Sequence, residues 1–220
     1  MSMQNMVKYM VKDHPDSSIT ESYRKAATNI EFANIDDNIK VVMLTSSIAG
    51  EGKTTTICNI AAVMTEFNKN VLLLDLDLRK PSIHKFYNLS NKIGLTDLLI
   101  NKDDYKKYIN NVYPRLDVIT AGKIPSNAAE IINSKAIKDL MNDLTSHYDY
   151  IFLDTPPIAM VSDPITVATY ADAIILAIAY GETEIEVAKK SVASLRQVNG
   201  NIIGTILTKT PVAKFKRHYY

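Results

Sequence analysis

The sequence is short of cysteine, of net charge and of long apolar runs. One cysteine, Cys58, in 220 residues excludes a disulfide framework and fits a reducing compartment. A net charge of +1 gives no electrostatic case for nucleic acid, which a basic stripe would make. No signal peptide is visible. The longest apolar run, near residues 167–180, is too short for a membrane span and contains Asp172. These absences lead to the expectation of a protein soluble by itself, with any membrane role supplied by a partner. Internal repeats, low-complexity segments and Pro/Gly linkers are also missing. What is present is 46% hydrophobic and 22% charged residues, enough for one α/β domain with a sizeable core.

Apolar runs at 40–45, 70–76, 116–120, 149–153, 173–179 and 201–207 are nearly continuous rather than alternating. Strands covered on both faces read this way, as in a parallel sheet. Helical periodicity falls between them, at 20–32, 53–68, 128–146 and 184–198. The alternation predicts an α/β fold with a doubly wound, mostly parallel sheet flanked by helices. Residues 1–19 are weakly patterned and expected to be mobile, 20–210 form the domain, and 211–220 form a basic tail.

Three motifs carry chemistry. The first is "SIAGEGKTTT", between a buried strand and a helix, which fits a P-loop. In such a turn the N–H groups of Ala49, Gly50, Glu51, Gly52, Lys53, Thr54 and Thr55 surround phosphate oxygens at a helix N-terminus. Lys53 would reach the β- and γ-phosphates of ATP, and the Thr54 hydroxyl would bind Mg²⁺. The strict pattern asks for Gly where Ser47 stands; Gly50 and Gly52 supply the flexibility. The plain alternative is a glycine-rich turn with an adventitious lysine.

The second motif is "YDYIFLDTPP", which ends a strand in Asp154. An acid at the carboxyl end of a parallel strand faces the ligand crevice and can hold Mg²⁺ directly or through water. The third is "VLLLDLDLRKP". Asp75 and Asp77 are two apart, so a continuing strand would point both the same way. One could serve the metal and the other take a proton from an attacking hydroxyl. Either aspartate could instead be a solvated strand-end charge.

At these motifs the chain resembles the bacterial tyrosine kinases of capsule and exopolysaccharide synthesis. "LDLDLRKP" looks like their Walker A′ motif and "IFLDTPP" like their Walker B; "LDVITAGKIPSNAAEII" and "VSDPITVATYADAIILAIAYGET" are similar to further family segments. The resemblance runs from about residue 20 to the C-terminus. Related partition and septum-placement ATPases carry a signature lysine where this chain has Ile48, which favours the kinase branch.

The resemblance implies Mg-ATP as cofactor and tyrosine phosphotransfer with Lys53, Asp75 and Asp77 as catalytic residues. Thr54, Asp77 and Asp154 would serve the metal, and Arg79 and Lys80 would add positive charge nearby. Asp75 is the candidate to orient or deprotonate the incoming phenol, with the roles of Asp75 and Asp77 open to reversal. It implies autophosphorylation of Tyr219 and Tyr220, other protein tyrosine substrates, and the cytoplasmic tail of a membrane polysaccharide co-polymerase as activator, hence a cytoplasmic kinase recruited to the membrane. It implies a homo-oligomer, a ring in the family, built through E-x-x-R-x-x-R; here Glu21 and Arg24 are present and Ala27 replaces the last arginine. Thr208 stands where a base-contacting Asn is common. Two other classes stay open: a nucleotide-driven assembly switch and a partition-type ATPase.

Overall fold

The computed structural model describes residues 9–34, 38–102 and 104–211. Helices α1 (Met10–Asp13) and α2 (Ser18–Ala33) lead into β1 (Val41–Ser46), α3 (Lys53–Glu66) and β2 (Val71–Asp75). Short helices α4 (Ile83–Tyr87) and α5 (Leu95–Asn101) and a 3₁₀ turn follow, then β3 (Asn110–Tyr113) and β4 (Leu116–Ile119). The chain continues through α6 (Ala128–Ile132), α7 (Lys135–Leu144), β5 (Tyr150–Asp154), α8 (Asp163–Ala168), β6 (Ala173–Ala179), α9 (Ile185–Gln197) and β7 (Ile202–Thr208).

The sheet order is β3-β4-β2-β5-β1-β6-β7. All neighbours run parallel except β3, which is antiparallel to β4. The six predicted strands are present. β3 escaped the reading because "NNVY" is polar and half exposed, as an edge strand can be. Central strands β1, β2 and β5 are buried at every position. Their side chains alternate between two cores. Met43, Leu72, Leu74 and Leu153 lie in one; Val42, Leu44, Leu73 and Phe152 lie in the other, against α2 and α3. Helix α3 is apolar almost all round, with Ile57, Cys58, Ile60, Ala61 and Met64 buried, as a helix covered on most sides must be.

Three expectations are corrected. The single helix at 128–146 is two, because Ser134 caps α7 by accepting the Ile137 N–H at 3.3 Å. Residues 9–19, read as a mobile lead-in, pack on the body. Met10 is buried, the Tyr9 ring sits 5.1 Å from that of Phe86, and the Thr20 hydroxyl donates to the Met10 carbonyl at 3.0 Å.

The third correction concerns the helix carrying Glu21 and Arg24. Ala27 is fully buried in the core, so its side chain marks a packing position rather than a surface gap. Arg24 forks onto Glu66 of α3 at 2.9 and 3.2 Å and lies 3.7 Å from Glu21. Within the chain, Arg24 therefore ties α2 to α3.

Candidate functional site

β2, β5 and β1 are consecutive in the sheet, so the loops after them meet at its carboxyl edge. The loop after β1 takes its shape from Gly50 and Gly52, at φ +84° and +81°, a left-handed region that side chains rarely enter. Gly52 is the N-cap of α3, and no side chain caps that helix. Among the described residues, no acceptor in the chain takes the N–H groups of Ala49, Gly50 or Gly52. Open amides at the start of a fourteen-residue helix suit an anion.

These residues line a cleft of about 540 Å³ together with Lys53, Thr54, Thr55 and Asp77. Its other walls include Arg79, Lys80 and Phe86, and Pro156, Pro157 and Met160 after β5. Glu51 does not line it. The Glu51 carboxylate is buried and turned to Ile48, Ala179 and Thr183, so only its main chain can serve a ligand in the cleft. Thr208 donates its hydroxyl to the Glu51 carbonyl at 2.7 Å and so braces the loop from behind.

Asp154 is fully buried at the end of β5. Its Oδ2 accepts the Thr54 hydroxyl at 2.6 Å, while Oδ1 has no hydrogen-bond partner among the described residues. Burial pushes the Asp154 carboxyl up to about 6, opposed by the Lys53 ammonium and the Thr54 hydroxyl. An unsatisfied buried carboxylate oxygen beside a hydroxyl and a lysine fits a small hard cation. Among the described residues no cluster of three His, Cys, Asp or Glu could hold a metal. Mg²⁺ keeps water and substrate phosphates as most of its ligands, so the Thr54 hydroxyl and the Asp154 carboxylate are a donor set that fits it.

Asp75 and Asp77 do not share a strand face, because β2 ends at Asp75. Asp75 is fully buried. Its Oδ2 accepts the Ser82 and Ile83 N–H groups, each at 3.0 Å, and Oδ1 that of Asp77 at 3.3 Å. Burial, and then the neighbouring Asp154, push its carboxyl well above the usual range. Asp77 instead opens on the cleft, with Oδ1 accepting the Lys80 N–H at 2.9 Å.

Arg79 is fixed by a fork to Asp163 at the start of α8, Nε to Oδ2 at 2.7 Å and Nη2 to Oδ1 at 3.1 Å. The Asp163 side chain is fully buried and Arg79 is 45% exposed. Sequence reasoning missed Asp163, Thr183 and the bracing role of Thr208. The one available signal was an Asp before Pro164 at a helix start, inside the segment "VSDP". Tyr219, Tyr220 and the basic residues near them lie outside the described residues.

Comparison with known proteins decides the family. Residues 39–205 match the family described as "AAA domain". Tyrosine-protein kinase YwqD of Bacillus subtilis (strain 168) is 40% identical over 94% of this chain and 87% of its own length. The chain belongs to the bacterial tyrosine kinases. Putative tyrosine-protein kinase CapB of Staphylococcus aureus is 35% identical, over 96% of this chain and 92% of that protein. The crystal structure of the chimerical protein CapA2B2 superposes with a TM-score of 0.89 at 30% identity, covering 93% of this chain and 90% of that one. The chain is accordingly a protein-tyrosine kinase built on a nucleotide-binding P-loop fold, with a cleft where that fold binds phosphate. Among the described residues no helix is long and apolar enough to cross a membrane.

Proposed function

We propose that this chain transfers the γ-phosphoryl group of Mg-ATP to tyrosines, including Tyr219 and Tyr220 of a neighbouring copy. The observation that carries the reading is the convergence, in one cleft, of open loop amides, Lys53, the Thr54–Asp154 pair and Asp77. The amides of 49–55 and the Lys53 ammonium would hold the phosphates and stabilise charge on the transferred group. Thr54 and Asp154 would hold Mg²⁺, with Asp77 alongside. Bound Mg²⁺ would supply charge neutralisation on the phosphate oxygens.

The acceptor phenol oxygen forms a bond to the γ-phosphorus as the bond to the β-bridging oxygen breaks. Its proton passes to a carboxylate, for which Asp77 is the group open to the cleft. Asp75 then acts through the main chain: it holds residues 77–83 in the shape that presents Asp77. Arg79, pinned by Asp163, directs positive charge toward the transferred group or the acceptor. Such a site works by positioning and electrostatics.

The wider setting comes with the family. We place the kinase in the cytoplasm, recruited to the membrane by the cytoplasmic tail of a polysaccharide co-polymerase, and acting in capsule or exopolysaccharide synthesis. The name CapB of a 35% identical relative supports that setting. The test incubates the protein with Mg-ATP, with and without the partner's cytoplasmic tail, and maps phosphotyrosine by mass spectrometry. Phosphate is expected on Tyr219 or Tyr220, including on a Lys53→Met chain mixed with active protein lacking its last ten residues. ATP hydrolysis with no phosphotyrosine would contradict the kinase reading and favour a nucleotide-driven switch.

A further inference from the structure

We infer that the Glu51 side chain is a positioning residue. It locks the phosphate-binding loop to the turn between β6 and α9 through Thr183, and nucleotide affinity depends on that lock. The inference rests on the nucleotide-binding reading of the cleft.

Glu51 stands between two glycines in left-handed conformations. Glycines make a loop possible but do not hold it in one shape, because they lose the most freedom on ordering. Something else must fix the open amides toward the phosphates. Glu51 is 1% exposed and points away from the cleft. A carboxylate only accepts hydrogen bonds, and here donors meet it from two sides. The Ile48 N–H, from the same loop, reaches Oε2 at 2.7 Å. From β6 and its following turn, the Ala179 N–H reaches Oε1 at 3.2 Å and the Thr183 hydroxyl donates to the same oxygen.

The carboxylate is therefore a bridge between the loop and an adjacent strand end, and Thr208 of β7 grips the same residue's carbonyl. Burying a charge without partners is costly, whereas a charged acceptor with several donors gives bonds stronger than neutral ones. The bridge thus has one favourable geometry. Displacing it moves Ile48 and the peptide units between Gly50 and Gly52, glycines that line the cleft and whose amides would meet the phosphates. The loss falls on binding of the phosphates first, because the affected groups contact the nucleotide and not the acceptor tyrosine.

The experiment measures Mg-ADP binding by isothermal titration calorimetry, and melting temperature, for wild type, Glu51→Gln, Thr183→Val and Thr183→Ser. Glu51→Gln sets an N–H₂ against a donor. Thr183→Val deletes the hydroxyl, which donates to Glu51 and accepts the Ala179 N–H at 3.1 Å, at nearly constant shape, and it carries the test should Glu51→Gln fail to fold. Both are expected to weaken Mg-ADP about tenfold or more, the scale of one charge-assisted hydrogen bond. Thr183→Ser, which keeps the hydroxyl, should stay within about twofold of wild type. A purely structural role would lower the melting temperature and leave the affinity of the folded variants unchanged, and that result overturns the inference. Wild type failing to bind Mg-ADP would overturn the nucleotide reading itself.

Discussion

Two loops face each other across the cleft, and they are held in opposite ways. The loop after β1, residues 47–52, is shaped by left-handed glycines and by a buried glutamate anchored on the far side. Among the described residues its amides at 49, 50 and 52 meet no acceptor of the chain. The loop after β2, residues 76–82, is shaped by carboxylates that take up its own amides. Asp75 accepts from residues 77, 82 and 83, and Asp77 accepts from residue 80. A loop that must offer main-chain donors cannot also consume them, so its shape has to come from glycine and a remote anchor. A loop that offers side chains can consume its amides and gains rigidity from doing so. In this account the first loop binds phosphates, and the second presents Asp77 and Arg79 to the reacting groups.

The largest effect should follow from removing the first loop's cation. Lys53→Met should lower phosphotransfer at least about a hundredfold while circular dichroism shows an intact fold, since Met fills a similar volume. Full activity in that variant would break the assignment of the loop.

Ala27→Arg, remote from both loops, serves as the control on stability. A guanidinium forced into the core should cost about 3 kcal/mol or more, read by denaturant titration. Nucleotide affinity of the folded fraction should not move. Higher stability, or tighter self-association by light scattering, would show that position 27 looks outward in solution.

Asp75→Ala sharpens the contrast between the loops. It orphans the Ser82 and Ile83 N–H groups and should destabilise by about 1–3 kcal/mol. Unchanged stability would show that the second loop does not depend on its carboxylate. Asp163→Asn should act more gently. Arg79 keeps one acceptor, so kcat should fall by about tenfold, with Mg-ADP affinity unchanged. A change in affinity instead of kcat would move Arg79 from the reacting groups to the ground-state phosphates.

Much of this was legible in the sequence because the central strands are buried on both faces. Continuous apolar runs gave β1, β2, β5 and β6 within a residue or two, and the small-residue turn with Lys53 and the acid ending β5 followed from strand ends. Polar or small residues hid the rest. The edge strand β3 has no apolar run to announce it. Ala27 reads as a missing arginine in a surface motif, and only packing shows that it is a core contact. Two-residue spacing put Asp75 and Asp77 on one face only if the strand continued, and it stops at Asp75. The sequence offered Glu51 only through its main-chain N–H; the partners that bury its side chain include Ala179 and Thr183, the latter 132 positions later.

The division of labour between the two aspartates is tested most directly by single-turnover phosphoryl transfer at saturating Mg-ATP in Asp75→Asn and Asp77→Asn. Asp75→Asn can keep its carbonyl oxygen on the Ser82 and Ile83 amides and yields only the long contact to Asp77. It should transfer phosphate within about tenfold of wild type, while Asp77→Asn should fall at least about a hundredfold. The reverse order, with Asp75→Asn the slower enzyme, would contradict the account and make the buried strand-end carboxylate the base.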